Sequence, residues 1–208
     1  MLTLHFIRHG QTNFNLEKRV QGQFESVLTK LGIQQAKDLK LYIESLGLSA
    51  VYSSTNIRAR QTAEILTENV MLGISYKHDL REIMMGPWQE RLYSDVACSH
   101  PDQMDAFTKD PENFALNGAE TFAQVQSRGV RAIDAIIKSE QDGHVLIVSH
   151  GVMIKTILCH YVKVRLKHVW DQPHLGNCSH SIIEVHSKGD YSITRVGDKP
   201  SKGTIWTA

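Results

Sequence analysis

Val145-Leu146-Ile147-Val148 is a run of four apolar residues, and such a run suits a strand covered on both faces, as in a parallel sheet between helix layers. An amphipathic helix precedes it from about Thr121 to Ile137, with Phe122, Val125, Val130, Ile133 and Ile137 on one face. A further helix follows from Val152 to Tyr161. The same alternation opens the chain. Leu2 to Ile7 reads as a strand, and Leu28, Gly32, Ala36, Leu39, Ile43 and Leu46 mark a helix between an N-cap at Thr29 and a stop at Gly47. Ala50-Val51-Tyr52 is a short strand, the cap-forming cluster Ser53-Ser54-Thr55-Asn56 comes next, and a helix runs from Ile57 to about Asn69. The fold class expected is therefore α/β: three layers, a mainly parallel sheet with helices on both faces. Ser181 to Val185 and Tyr191 to Val196, divided by Lys188-Gly189-Asp190, add a terminal hairpin as an antiparallel edge.

Between Gly73 and Gly118, Gly86, Pro87, Pro101 and Pro111 interrupt any long element, leaving a strand near Ile74 to Lys77, short helices and loops. The 208 residues then form one domain, with residues 86–118 as a lid-like insertion that sets specificity. No apolar run approaches the roughly 20 residues that span a bilayer, and Met1 to His5 lacks a leader's basic region, which excludes an integral membrane protein and points to a cytoplasmic one. Cys98, Cys159 and Cys178 are odd in number and show no CxxC spacing, against both a disulfide framework and a structural zinc site. His174, Cys178 and His180 lack a fourth ligand at such spacing and read as loop and strand residues, so no metal and no cofactor are expected. With a net charge of only +1 there is no global basic field for nucleic acid. Any anion must be held by a local pocket.

Two segments build such a pocket. Leu4-His5-Phe6-Ile7-Arg8-His9-Gly10 and Leu146-Ile147-Val148-Ser149-His150-Gly151 are both apolar strands ending in a histidine and a glycine. In open α/β sheets ligands bind outside the carboxyl ends of the strands. Arg8 and His9 arrive there from the first strand, Arg58 from the start of a helix, and His150 from the buried strand. Guanidinium forks bind phosphate oxygens bidentately, and a neutral imidazole can accept a phosphoryl group.

Arg8-His9-Gly10, Ser53-Ser54 leading to Arg58-Ala59-Arg60-Gln61-Thr62-Ala63-Glu64, Leu80-Arg81-Glu82-Ile83 with Gly86 and Trp88, and Ser149-His150-Gly151 stand in one order. In that order and spacing, over roughly residues 1 to 190, the chain resembles the histidine phosphatase (phosphoglycerate mutase-like) superfamily, in its short phosphatase branch. The resemblance implies that His9 becomes phosphohistidine, that Arg8, Arg58 and His150 hold the phosphoryl oxygens, and that Glu82 is the proton donor. It further implies that Asn15, Gln21 and Gly22 lie on the substrate side, and that the partner is a small phosphorylated metabolite. A homodimer is left open. Relatives often read Gly-x-Trp-Glu-Gly where this chain has Gly86-Pro87-Trp88-Gln89-Glu90, which makes Glu90 a rival of Glu82. Glu25-Ser26-Val27-Leu28-Thr29 and Gly118-Ala119-Glu120-Thr121 also depart from the family pattern, on what is expected to be the substrate side and the lid. Glu120 and Arg128 are read as belonging to the start of their helix. A phosphomutase and a non-catalytic phosphate-binding domain are the alternative functions.

Overall fold

The computed structural model describes residues 1–187 and 189–206. The sheet has seven strands: β1 (Leu2–Arg8), β2 (Leu48–Ser54), β3 (Ile74–Lys77), β4 (Gly143–Ser149), β5 (His180–Ser187), β6 (Asp190–Val196) and β7 (Lys199–Pro200). Their spatial order is β3-β2-β4-β1-β5-β6-β7. The first four neighbours run parallel, while β5, β6 and β7 add antiparallel strands beside β1. The expected hairpin is thus present. Its turn residue Lys188 lies outside the described residues.

The chain's helices are α1 (Asn13–Glu17), α2 (Lys30–Ser45), α3 (Ile57–Leu66), α4 (Tyr93–Ser99), α5 (Pro101–Lys109), α6 (Phe122–Ser139) and α7 (Gly151–Tyr161). Alternate residues of β4 face two different cores. Leu146 and Val148 pack with Ile7, Ile43, Ala59, Ala63 and Leu66, the layer of α2 and α3. Val145 and Ile147 join Phe6, Val125, Ile133, Met153 and Ile157, the layer of α6 and α7. Both faces of the four-residue run are covered, which is why it carries no polar alternation.

Thr29 caps α2 as expected, its hydroxyl accepting from the Gly32 N–H at 3.0 Å. Gly10 and Gly32 are needed for packing, because a Cβ on Gly10 would meet the Gly32 carbonyl oxygen at 2.6 Å. Two expectations require correction. On α6 the buried stripe runs Phe122, Val125, Gly129, Ile133 and Ile136, while Val130 and Ile137 are only half-buried. The helix after β2 ends at Leu66, short of Asn69, and its N-cap residue Asn56 makes no capping bond. The carboxylate of Glu25 caps it from outside, accepting from the Ile57 N–H at 2.7 Å and the Asn56 side-chain amide at 3.0 Å.

Residues 86–118 hold α4, α5 and two single 3-10 turns, packed through Trp88, Phe107 and Phe114. Trp88 is fully buried there and serves packing.

Candidate active site

The parallel strands β1, β2 and β4 end at one edge of the sheet, beside a cleft of about 380 Å³. Arg8, His9, Arg58 and Glu82 line it, and so do Asn15, Gln21 and Gly22. His150, fully buried, stands beside His9 with the two ring centroids 5.2 Å apart.

His9 continues β1, its N–H bonded to the Ser149 carbonyl at 3.0 Å. Its Nδ1 lies 2.7 Å from the Gly10 carbonyl oxygen. A carbonyl only accepts, so Nδ1 carries the proton and Nε2 keeps a lone pair. Burial first, then the Arg58 and Arg8 guanidiniums, hold this imidazole well below the usual histidine value, against the opposing pull of the Gly10 bond. The ring is neutral at pH 7. His150 is lowered in the same way, by burial and then by Arg58 and His9. Its Nε2 lies 2.8 Å from the Ser54 hydroxyl, which also accepts from the Asn56 N–H at 3.3 Å. When that hydroxyl donates to Nε2, the free Nδ1 of His150 is the protonated nitrogen, a donor.

The guanidiniums are fixed by carbonyls and not by carboxylates. Arg58, with no exposed surface, donates to Phe24 O at 2.9 Å and Gly22 O at 2.7 Å; Arg8 donates to Leu175 O at 2.6 Å. Burial lowers Arg58 to about 10, still charged at neutral pH. Gly22 has φ +52°, and a Cβ there would strike the Gln89 side-chain oxygen at 2.5 Å, so this carbonyl can be offered to Arg58 only by glycine. Asn15 and Gln21 spend their oxygens internally, Asn15 accepting from Thr12 N and Asn177 Nδ2 and Gln21 from Thr12 and Ser26. What each has left for a ligand is an N–H donor.

Among the described residues, Glu82 is the one carboxylate lining the cleft. Oε1 accepts from Ile83 N at 2.9 Å and Met153 N at 3.1 Å, and Oε2 accepts from Val152 N at 3.2 Å, which seats it on the N-terminus of α7. Glu90 is exposed, at φ +68°, and outside the cleft, so its rivalry with Glu82 is not realised in space. Gln89, the residue before it, turns its amide oxygen to the Gln23 N–H, accepting at 2.8 Å.

Glu120 and Arg128, read from the sequence as helix-start residues, do something else. Arg128 lies midway along α6 and grips Glu120 with two N–H groups at 2.8 Å each. It also donates to the carbonyls of Asp79, Arg81 and Glu82, at 2.9, 2.6 and 2.8 Å. Glu120 in turn accepts from Met84 N at 2.8 Å. The pair moulds the loop that presents Glu82. Neither Glu25 nor Glu120 lines the cleft, so these departures support the site's framework and not its substrate side. Ser54 and Arg128 are the framework residues that the sequence reading missed. The signal for Arg128 was a charged residue at a position of α6 that helical spacing turns inward.

This arrangement places the chain: it belongs to the histidine phosphatase superfamily, whose branch 1 family model matches residues 4–199. Among individual proteins, it is 32% identical over 162 residues to the "Probable phosphoglycerate mutase GpmB" of Erwinia tasmaniensis, covering 76% of this chain and 75% of that protein. Bacillus stearothermophilus YhfR superposes with a TM-score of 0.92 at 35% identity, over 96% of this chain and 98% of that one. A mycobacterial glucosyl-3-phosphoglycerate phosphatase in complex with VO3 does so with a TM-score of 0.88 at 26% identity, over 95% and 99%. Superfamily and neighbours are phosphatases and mutases, which makes phosphoryl transfer the common chemistry. Among the described residues, no helix is long and apolar enough to cross a membrane.

Proposed function

We propose that the protein is a phosphatase that hydrolyses small phosphomonoesters through phosphohistidine at His9, without a metal. One observation carries this reading. Arg8 Nε, Arg58 Nε and His150 Nδ1 are buried with no hydrogen-bond partner, although an unsatisfied buried donor costs about 1–3 kcal/mol. Three such donors on residues that surround one unprotonated imidazole nitrogen suit an anion with several oxygens. Phosphate repays each of them.

In the first half-reaction the His9 Nε2 lone pair attacks phosphorus in line with the ester oxygen, the N–P bond forms, and the P–O bond breaks. Arg8, Arg58 and the His150 Nδ1–H stabilise charge on the three equatorial oxygens, in a site whose positive charge comes from the protein itself. Glu82, as the carboxylic acid, gives its proton to the leaving alkoxide. In the second half the Glu82 carboxylate takes a proton from water as that water attacks phosphorus, the N–P bond breaks, and inorganic phosphate and free His9 remain.

The test is product analysis combined with a leaving-group comparison. Incubation with alkyl phosphomonoesters is expected to release inorganic phosphate in step with alcohol. Isomerisation of 3-phosphoglycerate without net phosphate release would instead establish the mutase reading, which the name of the Erwinia relative favours. Glu82→Gln is expected to slow alkyl phosphates by about 10²–10⁴-fold, the usual worth of a general acid, and p-nitrophenyl phosphate far less, since its phenolate hardly needs the proton. Equal slowing of both substrates would move the acid elsewhere.

Arg128→Met tests the framework. Breaking a largely buried pair leaves Glu120 uncompensated, and a loss of about 2–4 kcal/mol in urea unfolding is expected. Because the Glu82 carbonyl is released as well, kcat on alkyl phosphates should fall by about ten-fold more than on p-nitrophenyl phosphate. A variant that loses stability but keeps that ratio would confine Arg128 to a structural role.

A further inference from the structure

Beyond the phosphate end, the cleft wall is mostly apolar and aromatic, with Met85, Tyr93, Phe107 and Trp170 among its residues. One cation interrupts it. Lys155 lines the cleft, is 2% exposed, and among the described residues is the charged lining residue besides Arg8, Arg58 and Glu82, taking histidine as neutral. Its Nζ donates to the Asp171 carbonyl at 2.7 Å and sits 4.0 Å from the centroid of the Trp206 ring. An ammonium has three N–H donors. The carbonyl takes one and the ring face a second, so a third remains.

The spacing is set by one helix. Gly151, Val152 and Lys155 line the cleft from the same side of α7, and Gly151 lies against the phosphate end, the site of its missing Cβ being 3.6 Å from Arg8 Nε. Residues four apart on a helix stand about 6 Å from one another along the axis. The backbone of Lys155 is therefore offset from that of Gly151, at the phosphate end, by roughly one helical turn. Burying an ammonium with little compensation is expensive, and a ligand anion offsets that cost.

We propose that Lys155 is a specificity-determining residue, binding a carboxylate that the substrate carries on an apolar, ring-sized body beyond its phosphate. The proposal rests on the phosphatase reading and adds the far end of the substrate to it. A carboxylate fits better than a second phosphate. The phosphate end commits two guanidiniums and a further donor from His150 to its dianion, whereas Lys155 offers one charge and one free N–H, a match for one carboxylate oxygen.

The experiment compares 4-carboxyphenyl phosphate with 4-carbamoylphenyl phosphate, which have the same shape and differ in charge. For the wild-type enzyme, kcat/KM is expected to favour the carboxylate by at least about ten-fold, mostly through KM. In Lys155→Met that ratio should collapse towards one, and in Lys155→Arg most of it should survive. A lysine that merely anchors Trp206 would lower both substrates together and leave the ratio unchanged, which overturns the proposal. So does a wild-type enzyme with no preference, whatever the variants do. Dissociation constants for both esters on a His9→Ala background separate this proposal from the one beneath it. A ten-fold binding preference with no turnover by wild type would keep the Lys155 site and sink the hydrolase reading. Equal affinities together with ready turnover would do the reverse.

Discussion

Replacing His9 by alanine is expected to lower turnover of any phosphomonoester by at least about 10⁴-fold and to abolish trapping of labelled phosphate on the acid-quenched protein. Removal of a covalent nucleophile has effects of that size because the residual rate comes only from substrate binding and charge stabilisation. The structure says why no neighbour should take over. His150 Nε2 is engaged by Ser54 at 2.8 Å, and its Nδ1 is assigned to hold a phosphoryl oxygen. Arg8, Arg58 and the His150 donor stay in place without His9, so phosphate should still bind the variant within a few-fold of wild type. That combination, binding kept and chemistry lost, distinguishes removal of the nucleophile from collapse of the pocket. A variant that still formed phosphoenzyme would refute the assignment outright.

The second large effect concerns stability in acid. His5 on β1 touches two other imidazoles, its Nδ1 lying 3.0 Å from His180 Nε2 and its Nε2 2.9 Å from His144 Nδ1. Each contact can hold one proton, so a doubly protonated His5 needs both neighbours to accept. Burial, with a smaller contribution from His144, lowers His5 from 6.5 to about 4; burial, with His5 and Arg195, lowers His180 to about 3. A histidine lowered in the folded state contributes its full stabilisation above the unfolded value of about 6.5, and loses it as the pH falls towards the folded value. For these two residues the loss between pH 7 and pH 5 is on the order of 3–4 kcal/mol. His9 and His150, also lowered, act in the same direction. Urea midpoints across this range should fall steeply, and His5→Phe should flatten the dependence. A midpoint that does not move between pH 7 and pH 5 would show that His5 and His180 take up protons as readily in the native state as in the unfolded one, against this reading.

These two effects mark where the sequence was readable. Arg8, His9 and His150 could be placed because each follows an apolar strand within its own segment, and strand ends in a parallel sheet share an edge. Arg58 could be placed because it enters a helix just after such a strand. The histidine triad could not be read this way. His5, His144 and His180 look like unrelated residues, because their contacts cross β4, β1 and β5 at separations of 139 and 175 residues. Arg128 has the same difficulty, reaching the Glu82 carbonyl from 46 residues away. Periodicity gave α6 its apolar stripe but shifted it, because Arg128 and Gly129 occupy buried positions that hydrophobicity alone assigns to the surface. Glu25 and Glu120 sit in motif segments that point to the substrate side and the lid, yet both carboxylates are spent on backbone N–H groups and on Arg128.

The helix α7 brings several of these features into one rigid body. His150 is its N-cap residue, Glu82 is seated on the amides of Val152 and Met153, and Lys155 lies one turn further along. Such a helix works as a ruler with a fixed zero. Each residue added between 151 and 155 would rotate everything beyond it by about 100°, turning Lys155 out of the cleft while leaving the zero mark at His150 untouched. The far end of the cleft is tied to the same body, because Phe107 on α5 accepts from the Trp170 indole at 2.6 Å, one residue before the Asp171 carbonyl that holds Lys155.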